Sequence, residues 1–189
     1  MSYYETVDGV KCDKALIDAC REAMAGRGDG RVSREDAKKV FEKAIDGGKI
    51  TKAEHWSLIH CLTAFHWTEA AHDWILESLK DEDGEPKAKK AKTGGSYYET
   101  IEGLKCDRAI IDACREAVDG RGDGRVSAED AEKVWKKMED GGKITSAERW
   151  TLRYCLTVFN FTEKALDCLK LKLGAAGEKG LEDGAAAAP

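Results

Sequence analysis

Cysteine is the chemically versatile residue that recurs most regularly in this sequence. Six of the seven cysteines stand at equivalent places in two similar stretches, as the pairs Cys12/Cys106, Cys20/Cys114 and Cys61/Cys155, while Cys168 has no counterpart. No Cys-x-x-Cys occurs, and no Cys and His stand at the spacing of a zinc finger. Cys20 and Cys61 fall on apolar helical stripes, where free cysteine packs as a small hydrophobe. We predict reduced core thiols, with a disulfide from Cys12 to Cys20 or to Cys61 as the alternative.

The histidines do not support catalysis. All four lie in the first stretch, and the second stretch replaces His55, His60, His66 and His72 by Arg149, Tyr154, Asn160 and Leu166. A catalytic or metal role common to both stretches is therefore excluded. His60 and Cys61 are neighbours that point to different faces of a helix, which is poor geometry for a base and a nucleophile. The sequence also contains no Ser/His/Asp motif and no phosphate-binding glycine loop. We predict that the protein is not an enzyme.

Acidic residues, glycines and a serine alternate between positions 119 and 130. This segment resembles the 12-residue calcium loop of the EF-hand family, which has oxygen ligands at its first, third, fifth, ninth and twelfth places and a glycine at the sixth. The resemblance places Asp119, Asp123, Ser127 and Asp130 on four ligand positions, with Gly124 at the sixth. It implies weak calcium binding at these four residues, and the sequence suggests no other cofactor.

The same segment departs from the EF-hand pattern in several ways. Arg121 puts a cation at the third place, and the equivalent segment of the first stretch begins with Ala25. A second glycine turn resembles only the back half of such a loop, and its Ile144 follows Val126 with room for one helix, where the family implies two. The same residue pattern is expected without a metal if glycines end one helix and a serine caps the start of the next. Both interpretations remain open.

A tyrosine pair opens each of the two similar stretches, as Tyr3-Tyr4 and Tyr97-Tyr98. A domain of about 75 residues needs most of its large aromatic side chains for its core. A repeated pair at the start of each stretch is therefore surplus to that need. These four tyrosines are the predicted interaction residues, which either clamp the bundle or present a binding surface to a protein partner.

The positions of these residues follow an internal repeat. Residues 2–74 align with 96–168 without a gap, and about two thirds of the aligned positions are identical. We interpret the repeat as a tandem duplication of a small domain that closes its own core. The predicted organisation is a helical domain at 1–79, a flexible charged linker at 80–95, a second helical domain at 96–173 and a low-complexity tail at 174–189.

Each stretch is typical of a mainly α fold, a small bundle of about four helices. Apolar residues recur at helical spacing, and Ser33, Thr51 and Thr68 are predicted N-caps. Ile59 falls off the apolar stripe of the third helix and is predicted to face water. Before the first helix, Asp8-Gly9 lies between alternating β-forming residues, but the second stretch has the weaker turn Glu102-Gly103. A short N-terminal β-hairpin and an extended arm are equal alternatives.

Composition excludes several classes of function. The sequence has 36 acidic and 31 basic residues and a formal net charge of −5, which argues against nucleic-acid binding by the domains. No apolar run approaches the roughly 20 residues of a spanning helix, so we expect no membrane insertion. The start has no basic segment followed by an apolar core. We expect a cytoplasmic protein, or a nuclear one if the Lys87 to Lys92 run acts in import.

Two similar domains on a tether favour a role in interaction. Such a chain gains avidity or bridges two partners, because the tether raises the effective concentration of the second domain. We predict a bivalent adaptor, or a subunit of a larger assembly, whose protein partner the sequence does not identify. A calcium-responsive regulatory module of the EF-hand type is the alternative function.

Overall fold

The chain forms two compact units, Met1–Gly94 and Gly95–Pro189. The computed structural model describes residues 3–26, 29–83, 97–120 and 124–184. In each unit a two-stranded antiparallel hairpin precedes four helices. The fold is therefore mainly α-helical with a short N-terminal β-hairpin, as the sequence predicts.

The elements of the two units follow the same order. Unit 1 contains β1 (Tyr4–Val7), β2 (Val10–Asp13), α1 (Lys14–Ala25), α2 (Arg34–Ala44), α3 (Lys52–Ala64) and α4 (Glu69–Asp83). Unit 2 contains β3 (Tyr98–Ile101), β4 (Leu104–Asp107), α5 (Arg108–Asp119), α6 (Ala128–Met138), α7 (Ser146–Val158) and α8 (Glu163–Gly184). In unit 1, α1 packs on α2 and α3, α2 packs on α4, and β2 packs on α3; unit 2 repeats these contacts.

Two helices extend past the predicted domain boundaries. α4 continues to Asp83, although the composition predicts a linker from residue 80. α8 continues to Gly184, although the second domain is predicted to end at residue 173. Both extensions contain residues of high helix propensity such as Lys, Glu or Ala, although α8 also continues through Gly174, Gly177 and Gly180. The residues 174–184 are thus helical rather than irregular.

Each hairpin turns on two residues in the left-handed region. The φ angles are 47° at Asp8 and 79° at Gly9, and 43° at Glu102 and 81° at Gly103. Positive φ at both central residues is typical of a type I′ turn, whose twist matches that of the flanking strands. The hairpin alternative is confirmed, and the extended arm is wrong. Glu102 adopts this conformation although glutamate has no particular preference for it.

Side-chain caps begin α2 and α3 as the sequence predicts. Ser33 and Asp36 form a capping box at α2, and Thr51 and Glu54 form another at α3. In each box the hydroxyl accepts from a backbone N–H three residues later, and the carboxylate accepts from the N-cap backbone. These contacts satisfy N–H groups that have no partner within the helix.

α3 and α7 are packed on several sides. α3 buries seven residues, namely Trp56, Ser57, Leu58, Ile59, Cys61, Leu62 and Thr63. Ile59 is only 2% exposed and Arg153, its counterpart in α7, is 8% exposed. The prediction that this position faces water is wrong, because a helix that contacts more than one neighbour has no single buried stripe. The Arg153 guanidinium lies 5.5 Å from the centre of the Trp150 ring, within cation–π range.

Candidate functional site

The duplicated cysteines belong to the elements that form the centre of each unit. In unit 1, Cys12 lies on β2, Cys20 on α1 and Cys61 on α3. All three thiols are free and fully buried, and so are their counterparts Cys106, Cys114 and Cys155. The prediction of reduced core thiols is therefore confirmed.

Burial and mutual contact raise the pKa of three of these thiols, Cys61, Cys106 and Cys155. A hydrogen bond with the Cys20 thiol and burial raise the pKa of Cys61 well above its ordinary value. Burial, and to a smaller extent a hydrogen bond with Cys114, raises the pKa of Cys155 well above its ordinary value. Burial raises the pKa of Cys106 to about 11. Since the thiolate is the nucleophilic form, these groups are poor nucleophiles at neutral pH.

The segment that resembles a calcium loop leads into the cap of α6. Asp119 is the exposed last residue of α5, and Asp123 lies outside the described residues. Ser127 is the N-cap of α6; its hydroxyl donates to Asp130 Oδ2 at 2.7 Å and accepts from the Asp130 backbone N at 3.2 Å. Lys133 Nζ lies 2.8 Å from Asp130 Oδ1. The structure thus joins two of the four predicted ligands, Ser127 and Asp130, in a helix cap.

Charge within α6 stabilises the ionised form of Asp130. The hydrogen bond from Lys133, followed by that from Ser127, lowers the pKa of this carboxyl. In unit 1, the Arg31 guanidinium likewise lowers the pKa of Asp29. Among the residues that the structure describes, no group of three or more His, Cys, Asp or Glu side chains is arranged to hold a metal ion.

A backbone bridge joins the loop before α6 to the loop before α8. Val126 N donates to the Asn160 carbonyl at 2.7 Å, and Thr162 N donates to the Val126 carbonyl at 3.0 Å. Val126 thus pairs with Phe161 rather than with the turn at Ile144, and two helices lie between the partners. This pairing leaves no local signal in the sequence, because its partners are far apart in the chain.

Unit 1 has the same bridge between its two loops. Val32 N donates to the His66 carbonyl at 2.7 Å, and Thr68 N donates to the Val32 carbonyl at 3.0 Å. The Thr68 hydroxyl, predicted to cap α4, lies 3.4 Å from the Val32 carbonyl instead. The Thr68 carbonyl accepts from His72 N at 2.9 Å, so the residue still begins the helix through its backbone.

The tyrosine pairs lie on the surface at the open ends of the hairpins. Tyr3 and Tyr4 are 84% and 50% exposed, and Tyr97 and Tyr98 are 59% and 43% exposed. The rings of Tyr97 and Tyr98 meet edge to face with centres 5.1 Å apart. Such exposure favours the alternative in which the tyrosines present a surface over the one in which they clamp the bundle.

Backbone contacts hold each tyrosine pair in place. The Tyr97 carbonyl accepts from Arg108 N at 3.2 Å, and Tyr98 lies directly opposite Asp107 in the hairpin register. Asp107 N donates to the Thr151 hydroxyl at 2.7 Å, which fastens the end of β4 to α7. In unit 1, Lys14 N donates to the Tyr3 carbonyl at 3.1 Å and Asp13 N to the Ser57 hydroxyl at 2.6 Å.

Carboxylates of unit 2 affect the ionisation of Tyr97. The charges of Asp107 and Asp140, with a smaller contribution from Glu148, raise the pKa of the Tyr97 phenol. Asp107 caps α5 and Glu148 belongs to the capping box of α7, and both are nearly buried. Asp140 is exposed in the turn after α6. We call the exposed pair Tyr97 and Tyr98 the tyrosine face of unit 2.

The first unit carries the same residue types at the equivalent positions. Asp13 caps α1, Glu54 belongs to the capping box of α3, and Asp46 is exposed in the turn after α2. We call the exposed pair Tyr3 and Tyr4 the tyrosine face of unit 1.

Comparisons with known proteins identify no relative of this chain. No family model, no curated protein and no solved structure matches the chain. None of the helices that the structure describes is both long enough and apolar enough to cross a membrane. The fold and the sites define a class of protein with two mainly helical units, each with buried thiols and an exposed pair of tyrosines.

Proposed function

We propose that this chain is a non-enzymatic interaction protein, in which each unit binds a protein partner through its tyrosine face. The observation that carries the proposal is the exposure of the same two tyrosines at the same place in both units. Tyrosine supplies a large contact area with few rotatable bonds and is enriched at interfaces and binding hot spots. A surface of this kind suits protein recognition.

Two such faces in one chain make it a bivalent adaptor or a subunit of a larger assembly. When one unit has bound, the other is held near the partner, so its binding is effectively intramolecular. We place this activity in the cytoplasm. The nucleus is the alternative through the Lys87 to Lys92 run, which lies outside the described residues.

The test removes the tyrosine pairs singly and together from the full chain. The variants are Tyr3→Ala/Tyr4→Ala, Tyr97→Ala/Tyr98→Ala and the combination of all four changes. Proteins retained by each immobilised chain are quantified by mass spectrometry, and the affinity of each retained partner is then measured. We expect the fourfold variant to lose a partner that the parent chain retains. Each double variant should bind that partner about tenfold to a hundredfold more weakly, because it has lost avidity.

Leu171→Ala is the matched control, because Leu171 is 78% exposed and lies outside both tyrosine faces. The four tyrosines are exposed, so circular dichroism and the melting temperature of the variants should match those of the parent chain. Equal retention of every partner by the fourfold variant and by Leu171→Ala would contradict the proposal.

A calcium-responsive module is the second candidate function. The observation that favours it is the bridge between Val126 and Phe161, since it joins two loops with two helices between them. The EF-hand resemblance implies a pairing of loops at about this separation. Gly124, at the place where the family has its sharp turn, has a φ of 75°.

Calcium titration of the full chain tests this second function. A ligand that binds only the folded state raises the melting temperature, and tryptophan fluorescence reports the same event. We expect stabilisation at millimolar calcium that Asp119→Asn reduces and that magnesium does not reproduce. An unchanged melting temperature in calcium would rule the function out.

A further inference from the structure

The hairpin that carries each tyrosine face has one open edge. We infer that each unit binds an extended segment of a protein partner, which adds to the outer edge of β1 or β3 as a third strand. The inference rests on the proposed function, because it states the conformation of the partner segment that meets the tyrosine face.

The first step is the direction of the backbone groups along β1. In an antiparallel pair of strands, hydrogen-bonded and non-hydrogen-bonded positions alternate. Val7 and Val10 flank the two-residue turn and form a hydrogen-bonded pair, as such turns require. The next pair, Thr6 opposite Lys11, is therefore not hydrogen-bonded. The N–H and C=O of Thr6 point away from β2, towards the outer edge of the hairpin.

Other backbone contacts agree with this alternation. The Tyr3 carbonyl accepts from Lys14 N at 3.1 Å, and Tyr3 precedes Val7 by an even number of residues, so both bond towards the second strand. The register of unit 2 is the same, with Thr100 opposite Lys105. The N–H and C=O of Thr100 therefore point to the outer edge of β3.

The second step is the difference between the two edges of each hairpin. Asp13 N donates to the Ser57 hydroxyl at 2.6 Å, and Asp107 N donates to the Thr151 hydroxyl at 2.7 Å. α3 and α7 thus cover the outer edges of β2 and β4. Among the described elements, β1 packs extensively on β2 alone and β3 on β4 alone. The open edge belongs to β1 and β3, and a two-stranded sheet gains stability from a third strand.

The third step is the side-chain pattern along the open edge. Tyr4 and Thr6 are exposed and alternate with partly buried residues, and Tyr98 and Thr100 repeat this pattern in β3. An extended segment has the same two-residue spacing between side chains on one face. Its backbone pairs with the edge, and its β-branched or aromatic side chains contact the exposed tyrosine and threonine.

A second copy of this chain fits the open edge less well than a partner segment. When two β1 strands pair antiparallel with Thr6 opposite Tyr4 of the copy, Glu5 lies opposite Glu5, and like charges directly opposite destabilise a sheet. When Thr6 lies opposite Thr6 instead, Tyr4 meets the turn at Asp8, whose φ of 47° does not continue a strand. β3 has glutamates at the two corresponding positions, so the same restrictions apply to it.

The experiment adds a labelled peptide of alternating threonine and valine, with a lysine at each end, to the full chain. The backbone of this peptide can pair with the open edge. The control is the same peptide with methylated backbone nitrogens, which cannot donate to a strand. Binding is measured by fluorescence anisotropy, and hydrogen exchange of single amides is followed by NMR.

We expect a change of exchange at the two edge residues. In the free chain, the amides of Thr6 and Thr100 should exchange faster than those of Val7 and Ile101, which bond to the second strand. With the peptide at about ten times its dissociation constant, exchange at Thr6 and Thr100 should slow about tenfold, because most edges are then occupied. The methylated peptide should not slow it.

The variant Thr6→Pro/Thr100→Pro removes the outward N–H from each edge. Proline is tolerated at edge positions whose N–H faces solvent, so circular dichroism should match that of the parent chain. Peptide binding should weaken about tenfold or more through the lost hydrogen bond. Thr6→Val/Thr100→Val is the matched control, because it keeps the N–H and the β-branched shape, and it should bind as the parent does. If the proline variant does not fold, exchange in the parent chain decides the inference.

Several outcomes would overturn the inference. These are unchanged exchange at Thr6 and Thr100 with the peptide, equal slowing by the methylated peptide, or equal binding by the folded proline variant and the valine control. Dimerisation of the parent chain in sedimentation that the proline variant loses would place a second copy at the edge and would overturn it too. If the fourfold tyrosine variant loses partners that the proline variant retains, the adaptor proposal stands and strand addition fails.

Discussion

Cys168 has different surroundings from the other six cysteines. It is partly exposed on α8, with its Sγ 3.5 Å from Glu132 Oε1, whereas the duplicated six are fully buried. The position is also one at which the units differ, because unit 1 has Trp74 there. One thiol of the chain is therefore open to reagents in the folded protein.

We predict that iodoacetamide at neutral pH modifies Cys168 first and the other six only after unfolding. Alkylation requires an accessible thiolate, and burial raises the pKa of Cys106 to about 11. As the pH rises from the ordinary thiol range towards that value, the folded unit should lose stability, because Cys106 ionises more readily in the unfolded chain, so its modification should increase together with unfolding. Mass spectrometry of peptides from timed samples measures each site.

The variant Cys168→Ser provides the control for this experiment. It should remove the fast phase of modification and leave the slow phase unchanged. A second fast thiol in the folded chain would show that a buried cluster opens more readily than its packing indicates.

Residue-level prediction from the sequence worked for the buried thiols and failed at Ile59. The cysteines lie at helical spacing with other apolar residues, so a pattern finds them. Burial of Ile59 and Arg153 depends on which neighbours surround α3 and α7, and a single-helix pattern contains no such information. The tyrosine pairs were found from the sequence because they are repeated, but their exposure depends on tertiary contacts that the repeat does not contain.

At the scale of the element, local chemistry determines where the helices begin. The capping box of α7 consists of Thr145 and Glu148, with Glu148 Oε2 accepting from Thr145 N at 2.6 Å. The Thr145 hydroxyl also donates to the same carboxylate oxygen at 2.8 Å. Because Glu148 is only 8% exposed, its carboxylate depends on these bonds more than an exposed one would.

Thr145→Ala should lower the free energy of unfolding of unit 2 by about 1 kcal/mol or slightly more. For a unit of this size the melting temperature should fall by about 5 °C. Thermal or urea unfolding followed by circular dichroism measures the change. The cause is loss of the hydroxyl, which leaves a helix N–H and part of the Glu148 carboxylate unsatisfied.

Two further variants make the result specific to the cap. Ser146→Ala alters the adjacent exposed residue and should change stability by less than about 0.5 kcal/mol. Thr51→Ala breaks the matching box in unit 1, where Glu54 is less buried, and should cost less than Thr145→Ala. Equal effects of Ser146→Ala and Thr145→Ala would contradict the role given to the capping box.

Elements defined by neighbouring residues were predictable, and contacts between distant loops were not. Ser33 with Asp36 and Thr51 with Glu54 are three residues apart, so their spacing alone predicts a cap. The Val32 and Val126 bridges join loops across two helices, and a single sequence gives no direct signal for such a pair. The hairpins were ambiguous because Glu102 has no preference for the left-handed conformation that its turn requires.

At the scale of the whole molecule, the two units use different contacts for the same packing. In unit 1, Phe41 of α2 meets Trp74 of α4 edge to face, with ring centres 5.7 Å apart. In unit 2, Lys172 of α8 lies over the Trp135 ring of α6 and pairs with Glu132 at 2.7 Å. The contact between α2 and α4 in unit 1 is thus aromatic. Between α6 and α8 in unit 2, a cation contacts both a ring and a carboxylate.

The division into two units was predictable from the repeat, because similar stretches bury similar residues. The ends of the units were less predictable, as α4 and α8 run past residues 79 and 173. Low apolar content predicts the absence of a core, but it does not predict the end of a helix. Ala, Lys and Glu have high helix propensity, so a segment with few large apolar residues can still be helical.

The bridge between Val126 and Phe161 also has an electrostatic consequence. Both residues stand just ahead of a helix, so the bridge holds the starts of α6 and α8 side by side. The positive ends of two helix dipoles therefore meet, and they repel each other. Glu129, Asp130 and Glu163 lie in the first turns of these helices and offset that repulsion. The carboxylate that resembles a calcium ligand, Asp130, thereby helps to keep the starts of two helices together.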